Sequence, residues 1–303
     1  MDRLDAMKTY IRVVEAGSFS SVARQIGTTQ SAVSKQVLAL ETHLGTKLLA
    51  RTTRSISLTD EGRTYFEAAR RIVAEVDDAE EQLRRGNEHV GGRLRIGAST
   101  GFGRFVLYPV VREFMNLHPT VEIDLQLNDR FVDIVAEGLD VAVRVGELSD
   151  SALHATRLGT AQRSVVATRE LAAALNREGR LPIRPEQLES HNCVIYTGLT
   201  TPNLWVFDAV AGEASSVRVR VQGRFATSST ELIREAVLSG LGIGFAPNWF
   251  FTQELAAGEV VRLLPKYAPR PLPINALYSG SRKHSRRLGA FIELAKARIG
   301  GLE

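Results

Sequence analysis

FSSVARQIGTTQSAVSKQVL, residues Phe19 to Leu38, holds two short amphipathic segments separated by Gly27-Thr28-Thr29. The first, Ser20 to Ile26, puts Val22, Ala23 and Ile26 on one side. The second, Gln30 to Leu44, places Val33, Val37, Leu40 and Leu44 at intervals of four, three and four, the period of one buried helical face. Thr28 or Thr29 can cap its start, because a hydroxyl accepts from the unpaired amides of a first turn. Gln30, Ser31, Ser34, Lys35 and Gln36 remain on the outer face, with one positive charge and no acid. Such a face suits base edges and phosphates when the second helix of a pair enters a DNA major groove by its N-terminal end. Taken alone, it fits an ordinary solvated helix equally well.

The flanking segments favour the first reading. Upstream, Asp5 to Ala16 carries Met7, Ile11, Val13 and Val14 on a helical period, which predicts a third helix beneath the pair. Downstream, Leu48 to Leu58 predicts a β-hairpin wing in which Ile56 and Leu58 alternate with Ser55 and Ser57 and the tip carries Arg51 and Arg54. Between Arg24 and Arg54, Arg24, Lys35, Lys47, Arg51 and Arg54 stand against Glu41 alone, the electrostatic footprint expected of a nucleic-acid surface.

Phe19, Ala23, the Gly27 turn, the run Gln30 to Gln36, Leu40-Glu41, Leu44-Gly45, Leu48 and Arg51-Thr52 together resemble the winged helix-turn-helix of LysR-type transcriptional regulators. The resemblance continues through Leu58 to Gly62, then through Asp140 to Gly146 and Gly240 to Ile243 in the expected order. The N-terminal motif is specific; the C-terminal matches are individually weak. The resemblance implies a sequence-specific DNA-binding regulator and no enzyme. Its partners would be double-stranded DNA and a small-molecule effector, with RNA polymerase as a further candidate. The DNA-binding residues would be Thr29, Gln30, Ser31, Ser34, Lys35, Gln36, Arg51, Thr52 and Arg54.

Length and composition agree. The chain has 303 residues, enough for about two domains. A sequence pI near 9.4 with a formal charge of +4 permits a polyanionic partner, although large basic enzymes share such values. Charges scatter through MDRLDAMKTYIRVVEAG, which predicts no signal peptide, and nothing approaches about 18 continuous apolar residues, so a cytoplasmic protein without a membrane span is expected. Cys193 is the single cysteine, which excludes an intramolecular disulfide and a cysteine-based zinc site. Its run, Cys193-Val194-Ile195-Tyr196, reads as buried core.

From Thr59 to about Asn87, Tyr65, Ala69, Ile72, Val76, Ala79 and Leu83 follow a four-three spacing with charges on the other faces. A helix of this length, roughly 42 Å, has a sustained heptad seam that asks for a partner helix. The resemblance makes that partner a second copy, in a homodimer or a homotetramer of unlike-shaped dimers. Gly86, Gly91 and Gly92 would end the helix and open a hinge. Strands and helices then alternate: Leu94 to Ala98, an apolar helix to Leu117 that Pro109 delays or kinks, Val121 to Leu127, a short helix Phe131 to Glu137, and Asp140 to Val145. A second block from Arg163 has strands at Ser164 to Ala167, Asn192 to Tyr196 and Ile243 to Ala246, with a hairpin of Trp205 to Phe207 and Val217 to Val221. Helices are predicted over Arg169 to Arg177, Glu231 to Ser239 and Trp249 to Ala257, before a return strand, Ile274 to Tyr278, and a last helix, Arg282 to Arg298. The expected fold class is α/β with an N-terminal α-helical winged helix-turn-helix (1–58), a long linker helix (59–88) and an effector domain (89–303). Two α/β halves, 91–162 with 268–303 and 163–267, resemble the periplasmic-binding-protein-like sensor of the family.

No catalytic constellation is evident, and no cofactor or metal is expected. Gly240 to Gly244 follows a helix and precedes a strand, the reverse of a dinucleotide loop, and the six histidines are dispersed. The cluster Arg282-Lys283-His284-Arg286-Arg287 reads as a solvated helix face. Ser99 and Thr100 follow the first sensor strand, where hydroxyls and free amides at a helix start can bind an anion or simply cap the helix; the resemblance favours an effector. Arg130 or Arg144 would then supply counter-charge, and Thr227 and Ser228 the hydroxyls of the opposite half. The alternatives are a ligand-binding α/β protein, which as a solute receptor would need export, and an enzyme with an appended helical module.

Overall fold

The computed structural model describes residues 2–51, 56–84, 90–130, 134, 137–148, 152–199, 201–208, 216–282 and 285–301; the side chains of Arg51, Glu75, Asp78, Ala79, residues 81–84 and Ser281 lie outside that description. The chain divides into two units, residues 1–89 with 133–139, and residues 90–132 with 140–303.

The first unit begins with α1 (Arg3–Ala16), whose start is capped by the Asp2 carboxylate accepting from Leu4 N–H at 2.8 Å. α2 (Phe19–Gln25) and α3 (Gln30–Leu44) form the predicted pair, and Thr29 Oγ1 caps α3 by accepting from Ala32 N–H. Val33, Val37 and Leu40 are buried, as their spacing requires. Leu44 is not: at 36% exposure it lines an open groove with Leu48, Thr64, Tyr65 and Ala68, because the chain turns away at Gly45. β1 (Leu49–Arg51) and β2 (Ile56–Leu58) pair antiparallel to make the wing.

α4 (Asp60–Arg84) follows, and its seam divides. Phe66 and Ala69 are buried in the same core as Tyr10, Val22 and Val37, with Tyr65 and Val73 packed against it. Ala69 therefore serves the chain's own first unit rather than a partner, which corrects its assignment to the dimer seam, while Tyr65 packs on the same core and stays half-buried. Tyr10 lies 5.9 Å from the Tyr65 ring and edge-on to Phe66, and its hydroxyl donates to Gly62 O at 2.8 Å. Gly62 allows this docking, since a Cβ there would stand 1.9 Å from Leu48 O. Ile72, 40% exposed, and half-buried Val76 remain available; Ala79 and Leu83 fall outside the described side chains.

The second unit holds two α/β halves. In the first, β3 (Gly92–Ala98), β4 (Val121–Leu127) and β5 (Val141–Val145) are parallel, while β14 (Leu272–Tyr278) returns antiparallel between β5 and β6 (His154–Ala161), in the order β4-β3-β5-β14-β6. The last helix, α10 (Arg286–Ile299), buries Leu288, Phe291, Ile292 and Ala295 in this half's core. Gly92 is the first residue of β3 and donates to Thr120 O, so it belongs to the sheet rather than to a hinge; Gly91 precedes the strand, and Gly86 lies outside the described residues. Most of the predicted helix Phe131 to Glu137 does so too, as do Lys283 and His284. Arg282 and Arg287 are buried, so the cluster is not simply a solvated face.

After β3, α5 (Thr100–Phe102), a π turn (Gly103–Leu107) and α6 (Tyr108–Leu117) form one continuous rod. Pro109 lacks an amide and sits in the first turn of α6, so it neither delays nor breaks the rod; a π turn precedes it.

In the second half, β7 (Arg163–Thr168) lies between β12 (Gly244–Pro247) and β13 (Val260–Leu263), both antiparallel to it. β8 (Asn192–Tyr196) and β11 (Gln222–Thr227) pair in parallel, and a parallel bridge from Cys193 to Ile243 connects that pair to the strand leading into β12. α7 (Arg169–Arg177), α8 (Thr230–Leu238) and α9 (Thr252–Ala257) flank the strands, and β9 (Leu204–Phe207) pairs with β10 (Val217–Arg220) as the predicted hairpin. The halves are joined at Gln162 and near Arg270. There Arg163 stacks on Phe245 at 4.3 Å and donates from Nε to Arg270 O, and its burial lowers its pKa to about 10.

Candidate functional sites

The DNA-facing candidates converge on α3. Thr29, Gln30, Ser31 and Lys35 are exposed and Ser34 is half-buried. At roughly 100° per residue, Gln30, Ser31, Ser34, Lys35 and Leu38 share one face. Leu38 is 47% exposed there, an apolar contact of the kind that meets a thymine methyl, and it is not among the residues assigned from sequence. Gln36 departs from this face. Its Oε1 accepts from the buried Thr9 hydroxyl at 2.8 Å, so its side chain is tied to α1. In the wing, Arg51 pairs with Ile56 in the backbone ladder, whereas Thr52 and Arg54 lie outside the described residues.

Glu41, the one acid in the basic stretch, does not face solvent. It is 2% exposed and accepts from Leu48 N–H at 3.0 Å, Leu49 N–H at 3.1 Å and Lys47 Nζ at 3.0 Å. Burial raises its pKa, but the Lys47 bond and the two amides outweigh that and hold the carboxyl below its usual range. It thus fastens the recognition helix to the wing and leaves the exposed surface basic.

In the second unit, the ends of β3, β4, β5, β8 and β11 carry the remaining candidates. Ser99 occupies the N-cap position of α5, yet its hydroxyl makes no capping bond. The Thr100 amide is taken by a residue the sequence reading missed: Asp129 Oδ1 accepts it at 2.9 Å. Asp129 lies two residues after β4, beside Arg130, the residue that the sequence offers as counter-charge. Arg130 is exposed, with its amide on Asn128 Oδ1. Arg144 is buried on β5, and burial lowers its pKa while Tyr196 works against that shift. Burial pushes the Tyr196 hydroxyl up to about 12, Asp129 adding to the rise and Arg144 opposing it. At neutral pH Tyr196 is therefore a neutral donor within electrostatic reach of both charges. Thr227 Oγ1 accepts from Ser229 N–H, Ser228 is exposed, and Ser229 caps α8. The hydroxyl brought towards α5 is that of Thr230, which accepts from Gly101 N–H at 2.8 Å. Thr230 thus takes the place expected for Ser228.

Cys193 is buried, and burial raises its thiol pKa to about 12, the state of an inert core cysteine. Among the described residues no group of three or more His, Cys, Asp or Glu side chains is placed to hold a metal, and no helix is long and apolar enough to cross a membrane.

A winged helix-turn-helix followed by a two-lobed α/β unit is matched by two family models. "Bacterial regulatory helix-turn-helix protein, lysR family" covers residues 4–63, and "LysR substrate binding domain" covers residues 87–300. The chain belongs to the LysR family of transcriptional regulators. It is 37% identical over 283 residues to the HTH-type transcriptional activator AaeR of Escherichia coli (strain K12), spanning 93% of this chain and 89% of that protein. It is 34% identical over 298 residues to the regulator PtxR of Pseudomonas aeruginosa, across 98% and 93% of the two chains. The solved structure of CrgA, a LysR-type regulator from Neisseria meningitidis, matches with a TM-score of 0.61 at 31% identity, covering 98% of this chain and 99% of that one. As a LysR-type regulator the chain combines a DNA-binding unit with an effector-binding unit, and it is not an enzyme.

Proposed function

We propose that this LysR-type regulator reads its operator with the N-terminal half of α3 and responds to a small organic anion held between the two effector halves. The observation that carries the DNA assignment is the acid-free outer face of α3, with Lys35 exposed and Glu41 withdrawn into the core. Gln30, Ser31, Ser34 and Lys35 are assigned to bases, and Arg51, Thr52 and Arg54 to phosphates, which set affinity without reading sequence. Ile72 and Val76 are assigned to contact with a second copy, which calls for an operator of two inverted half-sites. A homodimer or homotetramer acting on the chromosome in the cytoplasm, with RNA polymerase as a further partner, follows from this reading.

Genome-wide mapping of bound DNA identifies the operator. On that operator, Lys35→Ala is expected to weaken specific binding by about 1–3 kcal/mol while scrambled DNA is held nearly as before. Unchanged discrimination would remove Lys35 from base readout, and a wild-type footprint confined to one half-site would count against the dimer.

The effector is assigned to Arg144 and the uncapped Ser99 hydroxyl, with Tyr196 as a neutral donor. This differs from a seat on the Thr100 amide, which Asp129 already fills. Titration calorimetry with candidate organic acids is expected to show binding that Arg144→Gln weakens by at least about tenfold, the scale of one charge-assisted hydrogen bond. Equal affinity in both proteins would place the anion elsewhere.

A further inference from the structure

The start of α5 in one effector half and the start of α8 in the other meet at the Asp129 carboxylate. Asp129 Oδ1 accepts from Thr100 N–H at 2.9 Å and from the Thr230 hydroxyl at 3.0 Å, and Oδ2 accepts from Thr230 N–H at 2.9 Å. Thr230 Oγ1 in turn accepts from Gly101 N–H at 2.8 Å, which closes the cycle. The carboxylate thus stands where both helix dipoles favour negative charge. Close approach depends on Gly101, where a Cβ would lie 2.5 Å from the Phe250 ring and 2.8 Å from Thr230 Oγ1. Apolar contacts continue the seam: Phe102 packs edge-on to Trp249 and Phe105 edge-on to Phe250, while Arg104 pairs with Glu231 at 3.1 Å.

We propose that Asp129 is the positioning residue of the effector unit, an internal carboxylate that clasps the two halves together and keeps external carboxylates off the Thr100 and Thr230 amides. An effector acts on a structure already closed at this seam. It shifts the halves only if it prefers one arrangement of the clasp over another, whatever its total affinity. Charge is essential to this role. A neutral amide at position 129 cannot accept at both oxygens, and its NH2 group would face a backbone N–H. The clasp rests on its own geometry; only its use by a ligand depends on the effector reading above.

Amide hydrogen exchange on the full-length protein, without effector, tests the clasp. Peptides covering the starts of α5 and α8 are expected to exchange at least about tenfold faster in Asp129→Ala than in wild type, with Asp129→Asn intermediate and β14 unchanged. Sodium formate at tens of millimolar, on the order of what a weak single-carboxylate site needs, is expected to restore protection in Asp129→Ala and to leave wild type unaltered. A rate in Asp129→Ala within about twofold of wild type, no formate effect, or an equal formate effect on both proteins would overturn the proposal. If Asp129→Ala exchanges faster everywhere, Asp129→Asn decides: wild-type rates at both helix starts would show that the charge is not needed. Loss of acid binding in Arg144→Gln with the clasp protected, or the reverse, separates failure of this inference from failure of the effector assignment.

Discussion

Replacement of Glu41 by alanine is expected to lower the stability of the DNA-binding unit by on the order of 3 kcal/mol and to weaken binding to all DNA sequences together. The Leu48 and Leu49 amides are buried, and the Glu41 carboxylate accepts from both. Removing a shared acceptor leaves each donor at a cost of about 1–3 kcal/mol. The Lys47 bond adds little, since that ammonium is well exposed. Because the carboxyl titrates below its unfolded value, its contribution is complete above the ordinary glutamate pKa of about 4.3 and drains away as pH falls through the folded value. The stability gap between wild type and Glu41→Gln should therefore be widest near neutrality and narrow in acid. Urea unfolding followed by circular dichroism at several pH values checks both statements. A loss below about 1 kcal/mol, or a gap that widens in acid, would show that Glu41 does not hold the wing.

Glu41 also marks where sequence reading reaches its limit. The helical period of Val33, Val37 and Leu40, the threonine cap and the alternation around Ile56 are local signals, and each element forms where they place it. Leu44 and Gln36 break that pattern: the chain turns away at Gly45 and leaves the first in an open groove, and Thr9, remote in sequence, captures the second. The α4 seam was legible as a stripe, but not which surface it meets. A heptad period is the same whether the neighbour is Tyr10 of the same chain or another molecule, so Ala69 looked like an interface and is core.

The effector unit repeats the lesson. β3, β4, β5, β7 and β8 have alternating or continuous apolar runs and were readable. β6, β11 and β13 were not. β6 mixes exposed and buried positions without a clean alternation, β11 is Gly-containing and largely exposed, and β13 spans only Val260–Leu263. Their pairing comes from tertiary contact rather than local pattern. Ser99 and Arg144 could be proposed because a strand end announces itself. Asp129, Tyr196 and Thr230 could not, since their roles exist only once two helix starts separated by 130 residues come together.

Asp140→Ala is expected to destabilise the effector unit by about 3–5 kcal/mol, the range for removing one partner of a buried ion pair. Asp140 is 3% exposed at the start of β5; its Oδ2 accepts from Arg95 N–H at 2.8 Å and its Oδ1 lies 3.0 Å from the Arg282 guanidinium. Arg95 and Arg282 are themselves buried, and the Asp140 amide donates to Arg95 O, so one residue ties β3, β5 and the turn before α10 together. Alanine would remove a counter-charge from beside a buried guanidinium and the acceptor of a buried amide at once. Asp140→Asn, which keeps one oxygen, should lose roughly half as much. For a unit of this size the alanine variant should melt on the order of 10 °C lower. Calorimetry of the full-length protein can follow that transition apart from the DNA-binding unit, whose own unfolding should not move. A shift of less than about 3 °C would mean that the pair contributes little beyond what apolar packing around β3 and β5 already supplies.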